Sequence, residues 1–246
     1  MIVLDTLDPR QDVLWEALIE LDRRRPPAWT LIGAQMVALH GLGQGRTPPR
    51  SSLDADVLVD IRLVQDGTER FAEMLITAGF EFEGMNLEGI GHRYRRGGAR
   101  IDVLAPDGVG GRANVKTSPP ARTVRVPGGS QALRRSRPVD VALRETRGKI
   151  PCPDLLGAIL VKARAVEVDD VPESQLVDLA FLLGLVRDPR ALAADLARGE
   201  RGWLKRRKDL LDRNHSAWRG VANADDAHRA LRLLAVAHEA GERGTS

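Results

Sequence analysis

Three aspartates in this sequence are spaced to work on one ion. Asp54-Ala-Asp56 opens a run, Ala55 to Arg62, whose alternating polarity predicts a strand. Residues i and i+2 of a strand point to the same face, so both carboxylates are offered to one cation cluster. Magnesium takes oxygen ligands and shares them with substrate phosphates. Two neighbouring carboxylates repel unless a cation lies between them. A third acid, Asp102, sits in Arg100-Ile-Asp-Val-Leu104, a strand in which aspartate is poor material. Each acid has an ordinary reading by itself. Asp-x-Asp is common in surface turns, and Asp102 can be the ion-pair partner of Arg93 or Arg95. Their combination and order make Asp54, Asp56 and Asp102 a candidate metal-binding set.

The elements around these residues are legible. Asp8-Pro9 starts a helix with Leu14, Leu18, Ile19 and Leu21 on its apolar face, closed by Arg23 to Pro27. Trp29 to Gly33 reads as a short buried strand, Gln35 to His40 as a helix, and Gly41 to Arg50 as a loop. Thr68 to Ala78 is an amphipathic helix that places Phe71, Met74, Leu75 and Ala78 on one face. His92–Arg96 and Arg100–Leu104 pair across a Gly97-Gly98 turn. After Pro106 the pattern weakens, with short strands near Val124 and Val139. From Asp154 onward it is helical, over 154–168, 173–186, 189–213 and 224–240, with Gly199 and Gly202 interrupting the third segment. The expected architecture is α+β: a mixed sheet with flanking helices over 1–150, then a helical bundle over 151–246.

Composition narrows the class. Hydrophobic residues make up 43% of the chain, enough for a packed core, and aromatic ones only 4%, so Leu, Val, Ile and Ala must fill it. One cysteine, Cys152, excludes an intramolecular disulfide framework and a Cys-rich zinc site. No signal stretch and no membrane-length apolar run is present, so the expectation is a soluble cytoplasmic protein. Net charge is only +3, yet Arg112 to Lys149 carries ten Arg or Lys against Asp140 and Glu145, a local excess that favours phosphate-bearing partners or forms a solvated face. Within it, Arg134-Arg135-Ser-Arg137 is the best cluster for gripping RNA or a triphosphate. Lys205-Arg-Arg-Lys208, near Trp203 and Trp218, reads as the wet side of a helix. His40 reads as a helix C-terminal residue, and His215, His228 and His238 lack metal-ligand spacing.

Five segments in order resemble the nucleotidyltransferase superfamily, and among its members the AbiEii/AbiGii-type group that includes the MenT-like toxins. They are Leu31-Ile-Gly33-Ala34 through His40-Gly41, Arg50-Ser-Ser52-Leu-Asp54-Ala-Asp56, Arg100-Ile-Asp102, Asp154 through Lys162 to Ala165, and Ser174-Gln175-Leu-Val-Asp178. Two positions depart from the pattern: Ala34 stands where the group has Gly or Ser, and Gln175 replaces an acid.

The resemblance implies transfer of a nucleoside monophosphate from a triphosphate, with Mg²⁺ or Mn²⁺ held by Asp54, Asp56 and Asp102. Asp102 would also help deprotonate the acceptor hydroxyl. Gly33, Ala34, Ser52 and Lys162 would contact the nucleotide, and Asp178 would orient Lys162. It also implies an RNA acceptor, such as a tRNA 3′ end, a toxin role, and an antitoxin partner. A small-molecule acceptor of the antibiotic type, or a degenerate nucleotide-binding regulator, are the alternatives.

Overall fold

The computed structural model describes residues 1–4, 8–110, 113–117 and 121–236. Arg112, His238 and the expected helical residues 237–240 lie outside them. A short strand β1 (Ile2–Val3) precedes helix α1 (Pro9–Arg23), whose Asp8 side chain accepts the Arg10 amide as N-cap. Strand β2 (Trp29–Ile32) runs into α2 (Gly33–Gly43), and β3 (Asp54–Val59) into α3 (Gly67–Thr77). Strands β4 (Glu81–Phe82), β5 (Arg93–Arg96), β6 (Ala99–Pro106) and β7 (Arg125–Val126) follow. Next come α4 (Gly129–Arg134), β8 (Ser136–Leu143) and β9 (Thr146–Pro153). The chain ends in α5 (Leu155–Ala165), α6 (Pro172–Leu183), α7 (Pro189–Ala194), α8 (Arg198–Lys205) and α9 (Ala224–Ala235).

The main sheet has the order β2-β3-β6-β5-β4, with β7 also on β6. Its central pair, β3 and β6, is parallel, while β2, β5 and β4 join antiparallel. The apolar sides of both central strands are fully covered: Ala55, Val57, Ile101 and Val103 are all buried. The opposite side carries the acids. A second sheet, β1-β8-β9, packs beside β2, where Ser136 and Thr30 hydroxyls meet at 2.8 Å. This mixed α+β architecture agrees with expectation. The boundary expected at residue 150 falls inside β9, and one buried core runs from Leu4 to Leu234, through both halves. No helix among the described residues is long and apolar enough to cross a membrane.

Three local expectations are corrected. Strand β9 was not foreseen, because Pro151, Pro153 and Gly148 break the propensity pattern; the sheet edge tolerates them, with Pro138 opposite Pro151. Helix α2 continues past Gly41 to Gly43. A side chain at Gly41 would meet the Phe181 ring at 2.8 Å, so this glycine serves helix packing rather than termination. Gly199 and Gly202 lie inside α8; the expected segment 189–213 ends its helix at Lys205 and breaks instead between α7 and α8. There Glu200 reaches back to accept the Ala197 amide at 3.0 Å while Arg135 holds its carboxylate.

Candidate active site

The parallel register of β3 and β6 sets Asp56 beside Asp102 and Asp54 beside Arg100. The antiparallel register of β5 then sets Arg93 beside Asp102. Asp56, Asp102 and Arg93 therefore form a row across three adjacent strands, about 4.8 Å apart from strand to strand. This row floors a cleft of about 550 Å³. Gly33, Ala34, Ser52, Asp54, Asp56, Asp102 and Lys162 all line it, together with Arg50, Arg125, Asp169 and Gln175. Asp178 lies behind the wall, fully buried.

Asp56 has the most strained electrostatics in the cleft. Burial, then the neighbouring Asp102, pushes its carboxyl up to about 6; Lys162 and Arg93 oppose the shift and Asp54 adds to it. Asp54 is more exposed and meets Arg100 through a single nitrogen at 3.2 Å and 3.4 Å. Asp102 is held more firmly: Arg93 Nε donates to Oδ1 and Nη2 to Oδ2, both at 2.8 Å. That ion pair raises the Arg93 pKa well above its usual range. His92 Nε2 lies 3.7 Å from the same carboxylate, and burial lowers its pKa. Among the described residues, no three acidic, histidine or cysteine side chains converge on a single cation position.

Asp54 and Asp56 nevertheless suit one divalent cation. Both are oxygen donors on one face, and the strain on Asp56 is what a cation relieves. The backbone beside them is also open. Gly33 joins β2 to α2 at φ +71°, and a Cβ there would fall 1.8 Å from Asp56 Oδ2. Only glycine allows the chain to pass so close to this carboxylate. Gly33→Ala is expected to lower stability by about 1–2 kcal/mol from the left-handed backbone alone, and to displace the Asp56 carboxylate. Urea unfolding checks this, and a midpoint equal to that of the native protein would contradict the geometry.

Helix α2 starts at this junction with no side-chain cap and no acid in its first turn, so its amide dipoles face the cleft undiluted. Ala34 supplies an amide there but no hydroxyl. Ser52 shapes the turn before β3: its Oγ accepts the Asp54 amide at 3.1 Å, and its carbonyl accepts Gln35 Nε2 at 2.6 Å.

On the facing wall, α5 and α6 bring Lys162 and Asp178 together. Lys162 Nζ lies 2.8 Å from Asp178 Oδ2 and donates to Gln175 Oε1 at 2.8 Å. Arg50 grips Asp178 from the other side through Nε at 3.1 Å and Nη2 at 2.8 Å. Gln175, in the place of an acid, passes the contact on, because its Nε2 donates to Asp169 Oδ2 at 2.6 Å.

Part of the basic tract is paired within the chain. Arg135 clamps Glu200, Arg144 pairs with Asp12, and Lys149 lies 3.9 Å from Asp140. Arg137 lines a separate hollow with Trp29 and Asp60, about 13 Å along β3 from Asp56, four residues at roughly 3.3 Å each. The Arg134–Arg137 cluster is therefore not at the cleft, and Arg125 is the residue of the tract that reaches it. Lys205–Lys208 is not simply a wet face either. Arg207 is buried, Arg206 binds Glu167 at 2.7 Å, and Trp218 is in the core. His40, in the last turn of α2, donates to the Pro153 carbonyl at 2.9 Å, and His228 to that of Leu211.

No protein-family model matches the chain, and no curated protein matches it. Among solved structures, an antigenic nucleotidyltransferase-like protein from Paracoccidioides brasiliensis superposes with a TM-score of 0.53 at 13% identity, over 93% of this chain and 94% of that one. The fold is nucleotidyltransferase-like. A solution structure of the antibiotic-resistance factor ANT(2″)-Ia is also similar, with a TM-score of 0.41 and 16% identity, covering 85% of this chain and 98% of that chain. The sequence singles out the acids, Lys162 and Asp178, and the structure brings all of these except Asp178 to the lining of one cleft. Arg50 stood in a quoted motif without a role, and Arg125 in the basic tract without a place. No local signal marked either: Arg50 binds Asp178, 128 residues away, and Arg125 reaches the cleft through the pairing of β7 with β6.

Proposed function

We propose that this protein is a metal-dependent nucleotidyltransferase that moves a nucleoside monophosphate from a triphosphate to an acceptor hydroxyl. The acceptor oxygen bonds to the α-phosphorus, the bond to the β-phosphate bridge breaks, and pyrophosphate leaves. The observation that carries this reading is the convergence of Asp54, Asp56, Asp102, Lys162 and the Gly33–Ala34 helix start in one cleft of that fold. Asp54 and Asp56 would hold Mg²⁺ or Mn²⁺, which supplies positive charge to the triphosphate and to the attacking oxygen. The α2 amides and Lys162 bind phosphate oxygens, and Lys162 balances the charge that grows on the leaving group. Asp178 and Gln175 fix the Lys162 ammonium. Asp56 is the freer proton acceptor for the hydroxyl, because both oxygens of Asp102 already take Arg93 N–H groups.

The acceptor in this proposal is RNA, with a tRNA 3′ end as the first choice, and the role is that of a cytoplasmic toxin restrained by an antitoxin. The AbiEii and MenT-like resemblance supports it, as does Arg125 at the cleft. The test incubates pure protein with each labelled triphosphate, Mg²⁺ and total RNA, and resolves the products on a gel. The expected result is label in a tRNA-sized band for one preferred nucleotide, lost in a folded Asp56→Ala variant. Label on an aminoglycoside and none on RNA would establish the small-molecule alternative. No pyrophosphate release with any acceptor would leave a nucleotide-binding regulator.

A further inference from the structure

We infer that Arg93 occupies the second cation position of this cleft, so that the protein itself binds a single divalent ion between Asp54 and Asp56. The inference rests on the proposed cation site and deepens it. Three observations point the same way. Arg93 faces Asp102 in strand register, and its guanidinium takes both carboxylate oxygens in a fork at 2.8 Å. Asp102 is buried, so its charge needs a permanent partner, and a planar fork matched to a carboxylate is the strongest one a side chain can offer. The contact on the other acid is of a different kind. Arg100 reaches Asp54 through one nitrogen at 3.2 Å and 3.4 Å, and Arg100 is shared with Glu83 at 3.7 Å. An incoming cation displaces this loose, solvent-screened contact easily and the bidentate one poorly.

The arrangement is also balanced in charge. Asp54, Asp56 and Asp102 supply three negative charges, and one divalent ion plus the Arg93 guanidinium neutralises them. A second divalent ion would have to evict Arg93 or leave an excess of positive charge against Lys162 and Arg50, which line the same cleft. Arg93 is thus a positioning residue: it holds both oxygens of Asp102 in place while contributing a fixed positive charge.

Mn²⁺ titration of the full chain, followed by the paramagnetic resonance signal of free Mn²⁺, counts bound ions without any turnover. The native protein is expected to bind one Mn²⁺. Folded Arg93→Ala is expected to bind two, the second at least tenfold tighter than any second binding in the native chain. Asp102→Asn provides an independent reading if Arg93→Ala misfolds: it should still bind one ion, within about threefold of native affinity. Two ions in the native protein, or one in folded Arg93→Ala, would overturn the inference and leave the cation site standing. No binding in either the native chain or Asp102→Asn would remove the cation site itself, and the inference with it.

Discussion

Replacing Asp178 with alanine is expected to destabilise the protein by about 3–5 kcal/mol, the cost of breaking one partner out of a buried ion pair. Asp178 is fully buried and answers two cations, Arg50 from the loop before β3 and Lys162 from α5. Arg50 is half-exposed and can turn to water when its partner is lost. Lys162 is 3% exposed and has less freedom to do so, so its ammonium is left with the Gln175 carbonyl oxygen and the more distant Asp56 charge. A loss of that size is a third or more of the total stability of many domains, so the urea midpoint should fall sharply. The double variant Lys162→Met, Asp178→Leu removes the charge along with its partner and should recover most of the loss, because well-packed apolar replacements of buried pairs are often neutral. Activity should not return with it. A cost under about 1 kcal/mol for Asp178→Ala would mean the pair is open to solvent, and the proposed bracing of Lys162 would fail.

How far this site was legible depended on the kind of signal. Asp54 and Asp56 could be placed on one face because a strand period of two is a local property, and Ala55, Ile101 and Val103 between and around the acids are apolar and buried. The joining of Asp102 to that face required only that β3 and β6 lie side by side in register, which segment order already implied. The partners were a harder matter. Arg93 and Arg95 are both two-apart residues on β5, and sequence allowed either to meet Asp102. Register decides it, since Arg93 is opposite Asp102 whereas Arg95 is opposite Arg100 and turns to Glu83. The ordinary reading of Asp102 as an ion-pair partner is thus realised, at Arg93, in a residue that also lines the cleft. Arg135 shows the opposite limit. Its charge suggested a surface for RNA, but a carboxylate 65 residues away captures it. Composition shows where charge lies along a chain and is silent on which charges fold onto each other.

Asp56→Asn is expected to make the cation-free protein more stable at neutral pH while abolishing transfer. The sign follows from the direction of the shift. Asp56 has its folded pKa raised from 3.8 to about 6, so the folded chain holds that proton more tightly than the unfolded one. Well below pH 3.8 the carboxyl is neutral in both states and imposes no penalty. As pH rises from 3.8 through about 6 the unfolded chain ionises freely while the folded state must ionise a partly buried group beside Asp102, and stability is lost until the penalty levels off. A carboxyl held at about 6 instead of 3.8 costs about 3 kcal/mol once ionised, at 1.36 kcal/mol per tenfold change in proton affinity. Other acids run the opposite way: arginine partners hold the Glu20 and Asp60 carboxyls below their usual range, so both add stability as pH rises. The quantity to measure is therefore the difference between native protein and Asp56→Asn, by thermal or urea unfolding in chelator. That difference should be near zero at about pH 3 and reach about 2–3 kcal/mol at pH 7, roughly 5–10 °C in melting temperature for a chain of this size. Adding Mg²⁺ at pH 7 should then raise the melting temperature of the native protein and leave Asp56→Asn nearly unmoved, because a ligand stabilises only the state that binds it. A variant less stable than the native protein at pH 7 would show that the carboxylate is satisfied without a cation, and the case for a metal at Asp56 would go with it. If the difference behaves as expected, the acid at the cleft floor is retained against a standing cost in stability, which is the usual signature of a residue kept for chemistry rather than for the fold.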